Sequence, residues 1–338
     1  MTEVTYKQAG VDRATAENVK DAIKEIARGS FSKNVLKDIG LFSGFFSLDL
    51  SRFKKPVLVS SIDGVGTKIK IAQMMGQYRT IGEDLVNHCV NDIMVCGADP
   101  LFFLDYIAAD KLQPGVVKDI VGGIAKACKE SNCALVGGET AEMPGVYAKN
   151  NFDLAGAIVG IVEQQAIIDG GNIQASDVLI GVASNGLHTN GYSLARKILF
   201  ELKKHNVSDF ISDFGASLGE ELLKIHRSYH SLITQIRNVA GLHGIAHITG
   251  GGIVGNTTRL LKLDLDLHIN WNAWEMPPIF KLIQKEGGVS DAEMREVFNL
   301  GIGLVLVVDE TRADAFLNVC RSNHEHAFVI GSVVKKPA

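Results

Sequence analysis

The chain has 338 residues, 46% of them apolar, with 35 glycines and only seven prolines. That length exceeds what one hydrophobic core comfortably serves, and the proportions fit a globular, loop-rich α/β protein while excluding disorder and collagen. The formal net charge of −4, with acids and bases interspersed, leaves no basic stripe for a nucleic-acid backbone, so any phosphate must be handled locally.

Two domains are expected, residues 1–168 and 169–338, parted by the polar, glycine-bearing stretch Asp169 to Ser176. Met1 to Gly10 lacks the charged start and apolar core of a secretion signal, and no run approaches the roughly 18 apolar residues that span a bilayer. A cytoplasmic protein without nucleic-acid or membrane partners is the expectation. Cys89, Cys96, Cys128, Cys133 and Cys320 are odd in number, lie in apolar surroundings and lack CxxC spacing, so they read as reduced core thiols, neither disulfides nor zinc ligands.

The spacing of Val19, Ile23 and Ile26 predicts an amphipathic helix over 12–28. Ile39 to Leu50 mixes Gly40 and Gly44 with Phe42, Phe45 and Phe46, a composition that suits either closure over a ligand or a plug at a core edge. Pro56 to Ile62 then reads as a buried strand. It ends in Asp63-Gly64-Val65-Gly66-Thr67-Lys68, which packs an acid, two small turn residues, a hydroxyl and an ammonium ahead of a helix starting near Ile69. The glycines let backbone amides face an anion, Thr67 can cap the helix, and the helix N-terminus favours negative charge. That is the chemistry of a metal-bound phosphate, although Asp-Gly alone marks an ordinary turn.

Thr80 to Gly97 predicts the next helix, with Thr80 as cap, Glu83 in a capping-box relation, and Leu85, Cys89, Ile93 and Cys96 on its apolar face. Asp92 interrupts an otherwise apolar run, where a carboxylate needs a cation or donors; a cap partner and a metal each explain it. A strand over Leu101 to Ala108 carries Asp105, and a helix spans Pro114 to Glu130. The strand Cys133 to Val136 ends in a second acidic, glycine-led loop from Gly137 to Gly145, bearing Glu139 and Thr140. Two strand ends and one helix thus offer Asp63, Asp92 and Glu139, and carboxylates gathered at strand termini suit Mg²⁺ held against substrate phosphates. Phe152 to Val162 closes this half as a strand.

In the second half, the strand Val178 to Ala183 leads through Ser184 to Ser193 into a helix over Leu194 to Lys203. The loop is rich in donors at a helix N-terminus, a place suited to phosphate, and its His188 can move a proton or donate to the anion; the plain alternative is a capped, solvated turn. Helices are expected over Leu218 to Ala240, with His226 and His230 one turn apart on a solvated face, since no acid or third ligand completes a metal pattern. The strand Gly244 to Thr249 ends in Gly250-Gly251-Gly252-Ile253-Val254-Gly255, formally G-x-G-x-x-G, before a helix over Asn256 to Leu261. The following strand, Leu263 to Ile269, ends without the acid a dinucleotide site needs, so no nicotinamide site is expected, though with His247 beside it the loop can approach a ligand closely. Helices over Pro277 to Glu286, Asp291 to Phe298 and Thr311 to Ser322, with strands Gly301 to Val308 and Ala327 to Val334, complete the chain.

Eight stretches together resemble, nearly end to end, the phosphoribosylformylglycinamidine cyclo-ligase family, or aminoimidazole ribonucleotide synthetases, of purine biosynthesis. They are YKQAGVD at Tyr6 to Asp12, SIDGVGTK at Ser61 to Lys68, CVNDI around Asp92, PLFFLDY at Pro100 to Tyr106, VGGETAEMPG at Val136 to Gly145, LHTNGYSL at Leu187 to Leu194, AHITGGG at Ala246 to Gly252, and FNLGIG at Phe298 to Gly303. VGGETAEMPG is highly specific. The wider superfamily includes selenophosphate synthetase and thiamine-monophosphate kinase, users of ATP without a Walker loop, and no G-x-x-x-x-G-K-[ST] occurs here.

The resemblance implies an ATP- and Mg²⁺-dependent ring closure of formylglycinamidine ribonucleotide, with a catalytic set of Asp63, Lys68, Asp92, Glu139 and His188. It implies Mg²⁺ on Asp63, Asp92 and Glu139, and a nucleotide met by Gly64, Gly66, Thr67, Lys68, Asp105 and Thr140. The ribose phosphate substrate would meet His188, Asn190, Gly191, Ser193, His247, Gly250, Gly251 and Gly252. The implied fold is a two-domain α/β (α+β) one: an N-terminal mixed sheet that forms a barrel with its copy in a homodimer, and a C-terminal sheet covered by helices. The early loop has fewer glycines than the family pattern, and Asn185 and Thr189 replace common serines while keeping hydrogen-bonding side chains. The alternatives are a superfamily small-molecule kinase, of the thiamine-monophosphate kinase or selenophosphate synthetase type, and a non-catalytic nucleotide-binding module.

Overall fold

The computed structural model describes residues 13–336. The YKQAGVD motif and the polar N-terminus read against a secretion signal lie outside the described residues. Two compact units emerge, one taking in the described residues up to Ile93 together with Asp99–Gln164, the other Met94–Ala98 and the chain from Gln165 onward.

The first unit runs α1 (Arg13–Arg28), β1 (Pro56–Gly64), α2 (Lys68–Met75), α3 (Arg79–Met94), β2 (Asp99–Ala109), α4 (Pro114–Glu130), β3 (Ala134–Glu142) and β4 (Phe152–Glu163). Its sheet has the order β1-β4-β2-β3, with β2 and β3 parallel and the other pairs antiparallel, the mixed sheet expected. Strand alternation gives the sheet two unlike faces. On one, Phe103, Ile107, Leu154 and Ile158 are buried along with Leu85, Cys89 and Ile93 of α3 and Ile120 and Ile124 of α4. Residues of the other alternation stay open: Ile62, 74% exposed, shares a row with Ala157 and Leu104, while Leu58 and Tyr106 are also exposed.

Local expectations shift in two places. α3 starts at Arg79, so Thr80 lies inside its first turn, and Glu83 takes Lys126 of α4 at 2.6 Å instead of closing a capping box. The glycine-led stretch from Gly137 to Glu142 is strand, because pairing with β2 holds it extended against its weak strand propensity.

The second unit runs β5 (Val178–Ala183), α5 (Tyr192–Arg196), a wider π-helical turn (Lys197–Leu202), a hairpin of β6 (Phe210–Ile211) and β7 (Ala216–Ser217), α6 (Leu218–Leu222), α7 (His230–Ile236), β8 (Leu242–His247), α8 (Gly252–Thr257), β9 (Leu265–Ile269), α9 (Pro278–Gly287), α10 (Asp291–Val297), β10 (Ile302–Val308), α11 (Ala313–Ser322) and β11 (Ala327–Lys335). The five-stranded sheet has the order β8-β10-β5-β11-β9, each pair antiparallel, and β10, between β8 and β5, is buried throughout. β8 and β9 therefore sit at opposite edges, so the G-x-G-x-x-G stretch between them opens no βαβ unit, and the case against a nicotinamide site stands. Between α6 and α7 the chain leaves helical geometry, which removes the expected one-turn relation of His226 and His230.

Candidate active site

In the first unit, β1 delivers Asp63 at its end, and the next amide, Gly64 N–H, donates to the Asp63 carboxylate at 2.6 Å. His88 of α3 meets the same carboxylate at 2.9 Å and lies 3.9 Å from Asp92, one helical turn on. Ser61, two residues before Asp63 and so on the same strand face, donates to Asp92 at 3.1 Å. Asp63 and Asp92 are thus brought together around one imidazole. Burial alone would push the Asp63 pKa up, but the His88 hydrogen bond and charge outweigh it and hold the acid below its ordinary value. His88 shows the mirror image: burial pulls its pKa down, and hydrogen bonding to Asp63 with the charges of Asp92, Asp63 and Asp84 raises it overall.

Gly66 and Thr67 turn outward at the surface, with Gly66 at φ +56°. Thr67 occupies the position before α2, but its side chain makes no capping hydrogen bond. The ammonium of Lys68 goes the other way. It is wholly buried against Asp84, at 2.8 and 2.9 Å, so in this arrangement it does not reach out to a phosphate as expected. An unpaired buried ammonium is strongly disfavoured, and Asp84 on the facing helix supplies its counter-charge.

Glu139 is not gathered with the other two acids. Three strand spacings, about 14 Å, separate its strand from that of Asp63. It also pairs with Tyr106 on the open face, whereas Asp63, Gly156, Asp105 and Gly138 form one row on the helix side. One ion therefore does not touch all three carboxylates within a chain. Glu139 instead joins Asp105, Gly138 and Thr140 along a cavity of about 580 Å³, lined also by Lys20 and Lys24 of α1 and by Gly40. That volume is in the range of small-molecule sites. Burial pushes the Asp105 carboxyl up to about 7, with Glu139 adding to the rise. The early loop contributes to two places: Ile39 to Leu41 line the cavity, and Phe46 packs on Phe102 with ring centroids 5.5 Å apart, the plug at a core edge that its aromatic residues suit.

In the second unit, the loop from Ser184 to Gly191 is held from behind by the FNLGIG segment. Asn299 accepts from Ser184 Oγ at 3.0 Å and from Gly301 N–H at 2.8 Å, and donates to the Gly186 carbonyl at 2.9 Å. Gly191 has φ +79°, and a Cβ there would lie 2.2 Å from the Phe298 ring, so no side chain fits. His188 is buried at φ +61°, an uncommon conformation for a residue other than glycine. Asn190 is half-buried and Ser193 exposed on α5. The triglycine loop lies alongside, since a Cβ at Gly250 would come within 3.3 Å of Asn190 Oδ1. Asn256 ties that loop down by donating to the carbonyls of Gly252, Gly250 and Thr249 at 2.8 to 3.3 Å. His247, at the end of β8, completes the group. The eight residues expected to meet the ribonucleotide thus come from two neighbouring segments, one running from the loop after β5 into α5 and the other from the end of β8 through the triglycine loop to the start of α8.

Four residues that now matter were not singled out from sequence as site residues: Asp84, His88, His226 and Asn299. For the first two a signal existed, because Asp84, His88 and Asp92 recur every four residues and so share one face of α3.

Comparison with known proteins follows the same division. The AIR synthase related protein N-terminal domain matches residues 49–162 and the corresponding C-terminal domain residues 174–338. Proteins named phosphoribosylformylglycinamidine cyclo-ligase are 50% identical over 333 residues in Carboxydothermus hydrogenoformans, covering 98% of this chain and 97% of that one, and 47% identical in Alkaliphilus oremlandii, covering 98% of both. Among solved structures, thiamine-monophosphate kinase from Stenotrophomonas maltophilia K279a superposes with a TM-score of 0.70 at 14% identity over 94% of each chain. The hydrogenase maturation protein HypE in complex with ATP superposes at 0.66 and 18% identity, over 95% of this chain and 87% of that one. At such identities the structural likeness establishes the fold.

Proposed function

Because the chain belongs to the AIR synthase related protein family, we propose that it is an ATP-dependent phosphoribosylformylglycinamidine cyclo-ligase of purine biosynthesis. The observation that carries this is the end-to-end likeness to cyclo-ligases, 50% identical against 14% for the thiamine-monophosphate kinase, which favours ring closure over phosphorylation to a stable product. The formyl oxygen of formylglycinamidine ribonucleotide takes the γ-phosphoryl group of ATP and ADP leaves. The substrate's own amidine nitrogen then attacks the activated carbon and loses a proton, and phosphate departs with the former formyl oxygen, leaving 5-aminoimidazole ribonucleotide.

Two half-buried carboxylates without a thiolate suit a hard cation, so Asp63 and Asp92 are assigned to Mg²⁺, with His88 orienting them. When bound there, the ion offsets charge that develops on the transferred phosphoryl group. The exposed turn at Gly64, Gly66 and Thr67 is assigned to the phosphates, and Asp105, Glu139 and Thr140 to the rest of the nucleotide, along the cavity they line. His188, Asn190, Gly191 and Ser193, with His247 and Gly250 to Gly252, hold the ribonucleotide, and His188 is the group placed for proton transfer. Lys68 supports the phosphate turn from beneath through Asp84.

A homodimer is part of the reading. The open sheet face, with Ile62, Leu58, Leu104 and Tyr106 exposed in neighbouring rows, is an apolar surface that a second copy would cover. The reading places the enzyme in the cytoplasm, where ATP is supplied. It is tested by incubating the protein with formylglycinamidine ribonucleotide, ATP and Mg²⁺ and following 5-aminoimidazole ribonucleotide. ADP release without that product would sink it.

A further inference from the structure

The irregular link between α6 and α7 carries His226, whose side chain is wholly buried. Its Nε2 lies 2.9 Å from Nε2 of His247, and its Nδ1 lies 3.2 Å from the Thr189 hydroxyl. Its ring also stacks on His188, with centroids 4.1 Å apart and planes 24° from parallel. One side chain thus touches both elements assigned to the ribonucleotide, the Ser184 to Gly191 loop and the end of β8. The link is itself pinned, for Asn185 donates to the Ile225 carbonyl and the Tyr229 hydroxyl to the Ala183 carbonyl, each at 2.8 Å.

Two imidazole nitrogens at 2.9 Å require one hydrogen between them, since two N–H groups would collide and two lone pairs would repel in a buried place. With both rings neutral, the hydrogen-bonded series has two settings. With the hydrogen on His226 Nε2, His226 Nδ1 accepts from the Thr189 hydroxyl. With it on His247 Nε2, His226 Nδ1–H donates to Thr189 instead. Either setting fixes the His247 tautomer and the Thr189 hydroxyl together, and Thr189 Oγ1 is also 3.5 Å from the Asn190 amide.

We infer that His226 is a positioning residue for the ribonucleotide, holding His188, the Thr189–Asn190 turn and His247 in one arrangement before substrate arrives. Ordering these groups in advance removes a cost that binding would otherwise carry. The identity of the ligand rests on the cyclo-ligase reading, whereas the link among the side chains rests on their geometry alone.

The test combines histidine ¹⁵N NMR of the resting protein with steady-state kinetics for wild type, His226→Leu, His226→Gln and His226→Asn. A glutamine amide reaches about the Nε2 position and an asparagine amide about the Nδ1 position. His226→Leu is expected to raise KM for formylglycinamidine ribonucleotide about tenfold, the effect of losing a buried hydrogen bond, while KM for ATP stays put. The ratio of His247 tautomers should move away from its wild-type value, and His226→Gln should restore both readouts better than His226→Asn. A leucine variant with unchanged substrate KM and an unchanged His247 tautomer would overturn the inference. If that variant does not fold, a glutamine variant no better than asparagine overturns it as well. Should the wild type close no imidazole ring, the cyclo-ligase reading fails, while the tautomer comparison still decides the link.

Discussion

The Lys68 ammonium lies 2.8 Å from the Asp84 carboxylate with both side chains wholly buried, so the lysine of the phosphate turn is a structural counter-ion. Burial pulls its pKa down, and Asp84 opposes that. Removing one partner leaves a buried charge uncompensated, whereas replacing both by apolar side chains of similar volume can be nearly neutral. Lys68→Met should therefore lower unfolding stability by about 3–5 kcal/mol, and Lys68→Met with Asp84→Leu should recover most of it. Urea denaturation supplies the stabilities. If the folded double variant cannot use ATP at any concentration, Lys68 touches the phosphates after all.

Asp63→Asn and Asp92→Asn keep the size of each side chain and remove a carboxylate from the pair around His88. Each should reduce turnover by at least about a hundredfold while thermal unfolding shows a folded protein, and the Mg²⁺ concentration for half-maximal rate should rise. Glu139→Gln, at a separate place on the sheet, should act chiefly on KM for ATP. Full activity of either aspartate variant at saturating Mg²⁺ would refute the carboxylate assignment.

The pH dependence of stability has a sign fixed by Asp105. Its carboxyl is raised to about 7 by burial, opposed by its own backbone amide and reinforced by Glu139. The folded protein binds this proton more tightly than the unfolded chain, so the associated stability is present below about pH 4 and is lost as pH rises toward 7. Asp105→Asn removes the loss. The variant should match wild type near pH 4 and exceed it at pH 8 by on the order of 2–4 kcal/mol. Equal denaturation midpoints at both pH values would contradict the burial account.

Ile62 stands 74% exposed in a row with Leu104 on the open face of the first sheet. An Ile62→Lys substitution should leave thermal unfolding of the chain nearly unchanged and shift its mass, measured by light scattering, from two chains to one. A wild-type protein that is monomeric at micromolar concentration would remove the dimer from the account.

Strand ends were the most legible part of the sequence. Asp63 is found where the apolar run of β1 stops, and β2, β4 and β5 lie within two residues of their apolar segments. His88 was harder, because a single histidine among Leu85, Cys89 and Ile93 looks like a core residue until its turn-wise spacing from Asp84 and Asp92 is counted. The stretch from Leu223 to Tyr229 misleads for a tertiary reason: its apolar residues suit a helix, but the Ile225 carbonyl is taken by the Asn185 side chain and the Tyr229 hydroxyl by the Ala183 carbonyl, contacts with the β5 end and the loop after it that helical geometry does not supply. In sequence Glu139 looks like a companion of Asp63, because both stand beside glycines at the end of an apolar strand segment. Only the strand order and the pairing with Tyr106 reveal that they lie on opposite faces, three strands apart.

The central claim is ring closure driven by ATP, and its most direct measurement is a product balance with purified protein, formylglycinamidine ribonucleotide, ATP and Mg²⁺. Equal amounts of 5-aminoimidazole ribonucleotide, ADP and phosphate are expected. A stable phosphorylated substrate accumulating with ADP, and no aminoimidazole product, would contradict it.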